Sequence, residues 1–221
     1  MSFADQEALI DPAHPRRYTQ RVQRKYVILL ALALSVVVMD QITKYVVLSD
    51  LTYALDDAPD ASGRLKLFLS EAPALGFDGY HFRSKQSFTI FENFFCFRYA
   101  ENPGAAFGLF RSLPEAARGP LFHLVSIGAV LLISFYFSKL SGTERKERWA
   151  LWGLPLVLGG AIGNYLDRLA RGFVIDFLEA HWFDKAAWPS FNIADMAICV
   201  GVGMLVVDSI VRKEAKKPRA A

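Results

Sequence analysis

Asp176 and Asp195 are the two residues of this 221-residue sequence whose type and setting most invite chemistry. Asp176 lies in Phe173-Val174-Ile175-Asp176-Phe177, a carboxyl flanked by apolar groups on both sides, a setting that raises a carboxyl pKa. Asp195 falls in the first turn of an apolar segment, with Asn192 three residues before it as an N-cap, and a helix N-terminus favours a carboxylate there. Two carboxyls in such unlike environments suit acid and base work. If they share one proton, the ionised member takes a proton from water, which attacks a peptide carbonyl. The protonated member then donates to the carbonyl oxygen and to the leaving amine. That is aspartic-protease chemistry and requires no metal. From spacing alone, structural pairing of the two carboxyls stands as the alternative.

Other polar groups fall where apolar ones are expected: Asp40, Lys44, Asn164, Asp167, Arg168, Asn192 and Asp208. An ionisable group near hydrocarbon costs several kcal/mol unless it is paired or faces a cavity. Asn164, Asp167 and Arg168, at i, i+3 and i+4, share a helical face and invite an Asp–Arg contact, either structural or catalytic. Asp208, thirteen residues beyond Asp195, reads as an interfacial residue paired with the basic tail. His14, His81, His123 and His181 show no metal-ligand spacing, so a zinc protease is unsupported. His123 and Ser126 lack an orienting acid and read as helix-packing residues. Cys96 and Cys199 read as small apolar fillers, and two cysteines exclude a disulfide scaffold or a four-cysteine metal site. Gly159, Gly160 and Gly163 suit close helix packing better than phosphate binding.

The elements that must position these residues are apolar blocks. The chain is 53% hydrophobic and 21% charged, which excludes a disordered protein. The hydrophobicity is concentrated in spans at about 26–48, 119–140, 149–168 and 193–211, each near the length needed to cross a bilayer. Basic residues crowd three short segments: 1–25, the connection between the second and third spans, and the 213–221 tail with Arg212. By the positive-inside rule both termini are cytoplasmic and 49–118 is external. The basic runs lack aromatic interleaving, so no nucleic acid partner is expected. The first span, after a 25-residue hydrophilic lead, reads as retained rather than as a cleaved signal peptide. Asp50–Gln86 reads as a loop whose Arg64–Leu69 alternates well enough for a short strand, and Ser87–Tyr99 as a strand rich in aromatics. With both termini inside, every polar residue above except Asp208 gathers near the external boundary. The fold class expected is an all-α polytopic membrane protein of four transmembrane helices with a small external sheet, 26–212, between a basic N-terminal segment and a basic tail.

Five motifs in order resemble the signal peptidase II (lipoprotein signal peptidase) family. They are Asp40-Gln41-Ile42-Thr43-Lys44, Asn102-Pro103-Gly104-Ala105-Ala106-Phe107-Gly108, Gly163-Asn164-Tyr165-Leu166-Asp167-Arg168, Val174-Ile175-Asp176-Phe177 and Phe191-Asn192-Ile193-Ala194-Asp195. The resemblance runs over roughly Lys25–Arg212. It implies a four-helix inner-membrane aspartyl endopeptidase with a periplasmic β-cradle, without a metal or other cofactor. The substrate implied is a diacylglyceryl-modified prolipoprotein, cut on the amino side of its lipidated cysteine. It implies Asp176 and Asp195 as the catalytic pair, and Asn102, Gly104, Asn164, Arg168 and Asn192 as residues that bind substrate or support the pair. Asp40, Lys44 and Asp167 match positions of support or binding. The partners expected are that substrate and membrane lipid, with the chain acting as a monomer. The segment 56–86 and the N-terminal lead are longer than the family pattern. Two other readings are weighed: a Mg²⁺-dependent membrane lipid phosphotransferase or phosphatase, in which Asp167, Asp176 and Asp195 hold the ion and Arg168 a phosphate, and a proton-coupled carrier, which the missing internal repeat disfavours.

Overall fold

The computed structural model describes residues 15–70, 80–104, 113–142 and 147–215. The apolar blocks become long helices: α1 (Pro15–Leu51), α3 (Glu115–Ser138), α4 (Arg148–Arg171) and α5 (Ile193–Ala215), with a short α2 (Ala61–Leu69) between the first two. Three of them contain stretches long and apolar enough to cross a membrane: Gln23–Leu51, Ala116–Ser138 and Ile193–Arg212. Their apolar side chains point mostly outward; Leu30, Leu34, Leu124, Leu131, Leu132 and Val200 are all exposed. In water that surface would be unfavourable, and in hydrocarbon it costs nothing.

α4 is different. It packs against α1, α3 and α5, and Gly153, Gly159 and Gly160 face backbone of the neighbouring helices. A Cβ on Gly160 would collide with the Ala194 carbonyl of α5, and one on Gly163 would stand 2.7 Å from Asp40 Oδ2 of α1. The glycine-rich pattern thus serves close helix packing, as its spacing indicates.

The sheet has four antiparallel strands in the order β1-β2-β3-β4: β1 (Phe88–Phe91), β2 (Phe95–Asn102), β3 (Val174–Trp182) and β4 (Ala186–Ala187). The expected single strand over Ser87–Tyr99 is therefore a hairpin. Its turn passes through Asn93, whose positive φ of 68° an asparagine tolerates better than most residues. β3 lies in the segment after α4, so Asp176 sits on a strand. Arg64–Leu69 is helix rather than strand, because Asp60 caps α2 by accepting the Gly63 N–H at 2.7 Å.

Two apolar clusters bracket a polar layer. One joins Leu29 and Ala33 of α1 to Phe137, Leu140, Ala150, Leu154 and Leu158. The other joins Val47, Leu48, Leu55, Phe68, Tyr99, Phe173, Ile175, Phe177 and Leu178. Between them along α1 lie Asp40 and Lys44, both fully buried.

Candidate active site

The layer between those clusters is a network of buried polar groups with its partners supplied. Lys44 Nζ donates to Asp40 Oδ2 at 2.7 Å and to Asn164 Oδ1 at 3.1 Å, and lies 2.8 Å from Asp167 Oδ2. Three donors thus meet three acceptors, which is what a buried ammonium requires. Asp167 also takes Arg171 Nη2 at 2.5 Å, so two acids and two bases offset one another. The Asp–Arg contact expected at Arg168 is made instead by Arg171, one turn beyond Asp167 on the same face. Gln41 bridges Asp40 and Asp167 through its side-chain amide.

Two contacts of this network reach backbone. Asp40 Oδ1 accepts the Ala194 N–H at 3.0 Å, and Asp167 Oδ2 accepts the Ile175 N–H at 3.1 Å. Each carboxylate therefore fixes the residue immediately before one of the two candidate aspartates.

Asp195 and Asn192 cap α5 reciprocally. Asn192 Oδ1 accepts the Asp195 N–H at 2.9 Å, and Asp195 Oδ2 accepts the Asn192 N–H at 3.3 Å, a capping box. With its oxygen so committed, the fully buried Asn192 turns its amide nitrogen to Asp176 Oδ1 at 2.7 Å and to Asn164 Oδ1 at 3.0 Å. Asn164, whose oxygen faces Lys44, gives its own nitrogen to Asp195 Oδ1 at 2.8 Å. Asn102 Nδ2 reaches Asp176 Oδ2 at 3.0 Å while Asn102 Oδ1 accepts the Gly104 N–H. Donor-only or acceptor-only partners thus dictate the orientation of all three asparagine amides.

Asp176 is buried, and that burial, followed by the negative charge of Asp195, pushes its carboxyl up to about 7. The hydrogen bonds from Asn102 and Asn192 and the charge of Lys44 act the other way and do not prevail. The structure therefore gathers Asp40, Lys44, Asn102, Asn164, Asp167, Asp176, Asn192 and Asp195 into one network. Arg168 joins from its edge: Nη2 donates to the Gly104 carbonyl at 2.8 Å, and the guanidinium lies 4.6 Å from the Phe122 ring centre. Ala105, Ala106, Phe107 and Gly108 of the same motif lie outside the described residues, as do 1–14, 71–79, 143–146 and 216–221.

Three contributors escape the sequence reading. Arg171 donates to the Phe68 carbonyl at 2.5 Å and so ties α2 to the network; its i+4 spacing from Asp167 is the signal that could have found it. Gln41 sits inside a quoted motif without an assigned contact. Glu101 takes the backbone N–H groups of His81 and Phe82 and the Tyr99 hydroxyl, anchoring the end of the long 56–86 segment beside Asn102. Nothing local in the sequence marks that partnership. Asp208 stands at the far end of α5, paired with Arg212 Nε at 2.6 Å and accepting the Ala150 N–H. Both the distance from the network and the pairing with a tail residue agree with the reading from sequence.

Comparison with known proteins adds the following. The sequence model of the family described as Signal peptidase (SPase) II matches residues 32–211. A protein of Anaeromyxobacter sp. (strain Fw109-5) named lipoprotein signal peptidase is 41% identical over 202 residues, covering 89% of this chain and 90% of that one. One of the same name from Syntrophus aciditrophicus is 42% identical over 136 residues, 62% of this chain and 82% of its own. Among solved structures, one described as a bacterial membrane enzyme superposes with a TM-score of 0.62 at 22% identity, covering 87% of this chain and 93% of that chain. It shares the fold.

Proposed function

The chain belongs to the signal peptidase II family, membrane proteases of lipoprotein processing, and from that premise we propose that Asp176 and Asp195 are the catalytic pair of an intramembrane aspartyl endopeptidase. The observation that carries the proposal is the shared network: Asn192 and Asn164 join the two carboxyls, and Asp40 and Asp167 fix the residues before them. Asp176, pushed up to about 7, is the member of the pair that still holds a proton as the pH approaches neutrality. Asp195 then accepts a proton from the attacking water while Asp176 donates its own to the carbonyl oxygen. As the C–N bond breaks, Asp195 passes its proton to the leaving amine and Asp176 recovers one from the gem-diol hydroxyl. Asn102, Asn164 and Asn192 hold the carboxyls in place. Lys44, Asp40 and Asp167 position the backbones that carry them, and Arg168 with Gly104 borders the substrate path.

The substrate of this reading is a diacylglyceryl-modified prolipoprotein, cut on the amino side of the lipidated cysteine. Four spans are proposed: the three apolar ones, and α4, whose 24 residues run through the middle of the bundle. Both termini then face the cytoplasm, and the sheet and polar network lie at the periplasmic boundary. A lipid-anchored scissile bond is confined to that depth, and burial of its acyl chains supplies binding energy. The chain acts as a monomer, and the cleavage itself needs no cofactor. The Mg²⁺ phosphotransferase reading loses its donor set, because Asp167 is committed to Lys44 and Arg171.

The test is incubation of the purified protein with a diacylglyceryl-modified prolipoprotein beside its unlipidated form. Only the modified form is expected to be cut; equal cleavage of both would contradict the assignment.

A further inference from the structure

Away from the aspartates, strand pairing brings three metal-ligating side chains together. Cys96 of β2 stands directly opposite Glu179 of β3, and His181 follows Glu179 by two residues, on the same face of the strand. The Cys96 sulfur, a Glu179 carboxylate oxygen and a His181 ring nitrogen all lie within 4.8 Å of one another. His181 Nδ1 is 3.4 Å from Glu179 Oε1. The spacing in sequence, 96 to 179, could not announce this; only the register of β2 on β3 does.

The cluster has room and a free face. Cys96 and Glu179 are buried, while half-buried His181 borders a cavity of about 500 Å³ lined also by Thr89, Glu92, Asn93 and Lys185. Arg98 holds Glu179 Oε2 at 2.7 Å, and Ser190 Oγ lies 3.4 Å from the same atom, which leaves Oε1 for a ligand. Arg98 is itself largely exposed, so its guanidinium is free to move aside.

We propose that Cys96, Glu179 and His181 form a binding site for a zinc-class divalent cation, with the fourth coordination position open to the cavity. A thiolate, an imidazole and a carboxylate are the donor set of tetrahedral zinc, and the sulfur disfavours Mg²⁺ and Ca²⁺. Tetrahedral zinc places its ligand atoms roughly 3.4–3.6 Å apart, so the present separations close with side-chain shifts of about 1 Å. On binding, the Cys96 S–H bond breaks, its proton goes to solvent and the sulfur lone pair forms the bond to the ion; no electron is transferred. The ion would cross-link β2 to β3, the two strands whose other ends bring Asn102 to Asp176. This site does not depend on the peptidase reading, since none of its residues belongs to the network around the aspartates.

The test is equilibrium dialysis of the untagged full-length protein in detergent against Zn²⁺, with Co²⁺ as an optical reporter of thiolate ligation. One ion per chain is expected, with a thiolate-to-cobalt absorption band and a higher unfolding temperature in the presence of Zn²⁺. Cys96→Ser and His181→Ala should each weaken binding about 100-fold or more, while Cys199→Ser leaves it unchanged. If Cys96→Ser does not fold, His181→Ala at its half-exposed position carries the test alone. Absence of stoichiometric binding, binding unchanged in both ligand variants, or a band lost in Cys199→Ser would each overturn the proposal.

Discussion

Asp167 accepts the backbone N–H of Ile175 at 3.1 Å, and so holds β3 at the residue before Asp176. Asp40 does the same for α5 through the Ala194 N–H, one residue before Asp195. Lys44 lies between the two carboxylates, so a single ammonium on α1 governs where both candidate catalytic groups stand.

Removing that ammonium leaves two carboxylates buried with too little opposing charge. Lys44→Met is expected to destabilise the protein by about 3–5 kcal/mol and to abolish cleavage. Thermal unfolding in detergent measures the first effect; an unchanged midpoint would mean the ammonium does not hold the layer together.

The close approach of α4 to α1 gives a second prediction. In Gly163→Ala the new methyl would lie 2.7 Å from Asp40 Oδ2 and must displace it, and with it the tie to Ala194. A loss of about 1–3 kcal/mol in stability is expected, with cleavage slowed about tenfold or more. Wild-type rates and stability would show that Asp40 tolerates displacement.

Much of this arrangement is legible in the sequence, and the parts that are not share a cause. The spans are marked by composition, and the polar residues stand out against them. Asn192 announces itself as the cap of α5 by its three-residue spacing from Asp195. The strand that carries Asp176 does not, because apolar residues cover nearly all of Val174–Leu178 and give no alternation. Arg64–Leu69 alternates like a strand, yet it is the Asp60 cap just upstream that decides for helix. Arg171 acts on Phe68, 103 residues away in sequence, and Glu101 on His81, 20 residues away, and no local pattern encodes a partner at either distance.

The protonation of Asp176 predicts a pH dependence. Its carboxyl stands at about 7 against an ordinary value of 3.8, so the folded state holds the proton more tightly than the unfolded chain. That contribution to stability is fully present below about 4 and is lost as the pH rises through about 7. As the general acid, Asp176 must be protonated, so kcat/KM is expected to fall about tenfold per pH unit above the limb near 7. A profile that climbs through that region would contradict the role.

Asp208 provides a control. It lies roughly 20 Å along α5 from Asp195 and pairs with Arg212. Asp208→Asn should therefore cleave at nearly the wild-type rate, with only a modest loss of stability. A dead variant would mean that the carboxyl at this end of the bundle takes part in the reaction.

The central claim is that Asp176 and Asp195 together cleave the peptide. Its most direct measurement is the rate at which Asp176→Asn and Asp195→Asn process a diacylglyceryl-modified prolipoprotein, each variant shown to be folded by its unfolding temperature. Losses of about 10²–10⁴-fold or more are expected for each, with the fold retained. Normal cleavage by either folded variant would contradict the account.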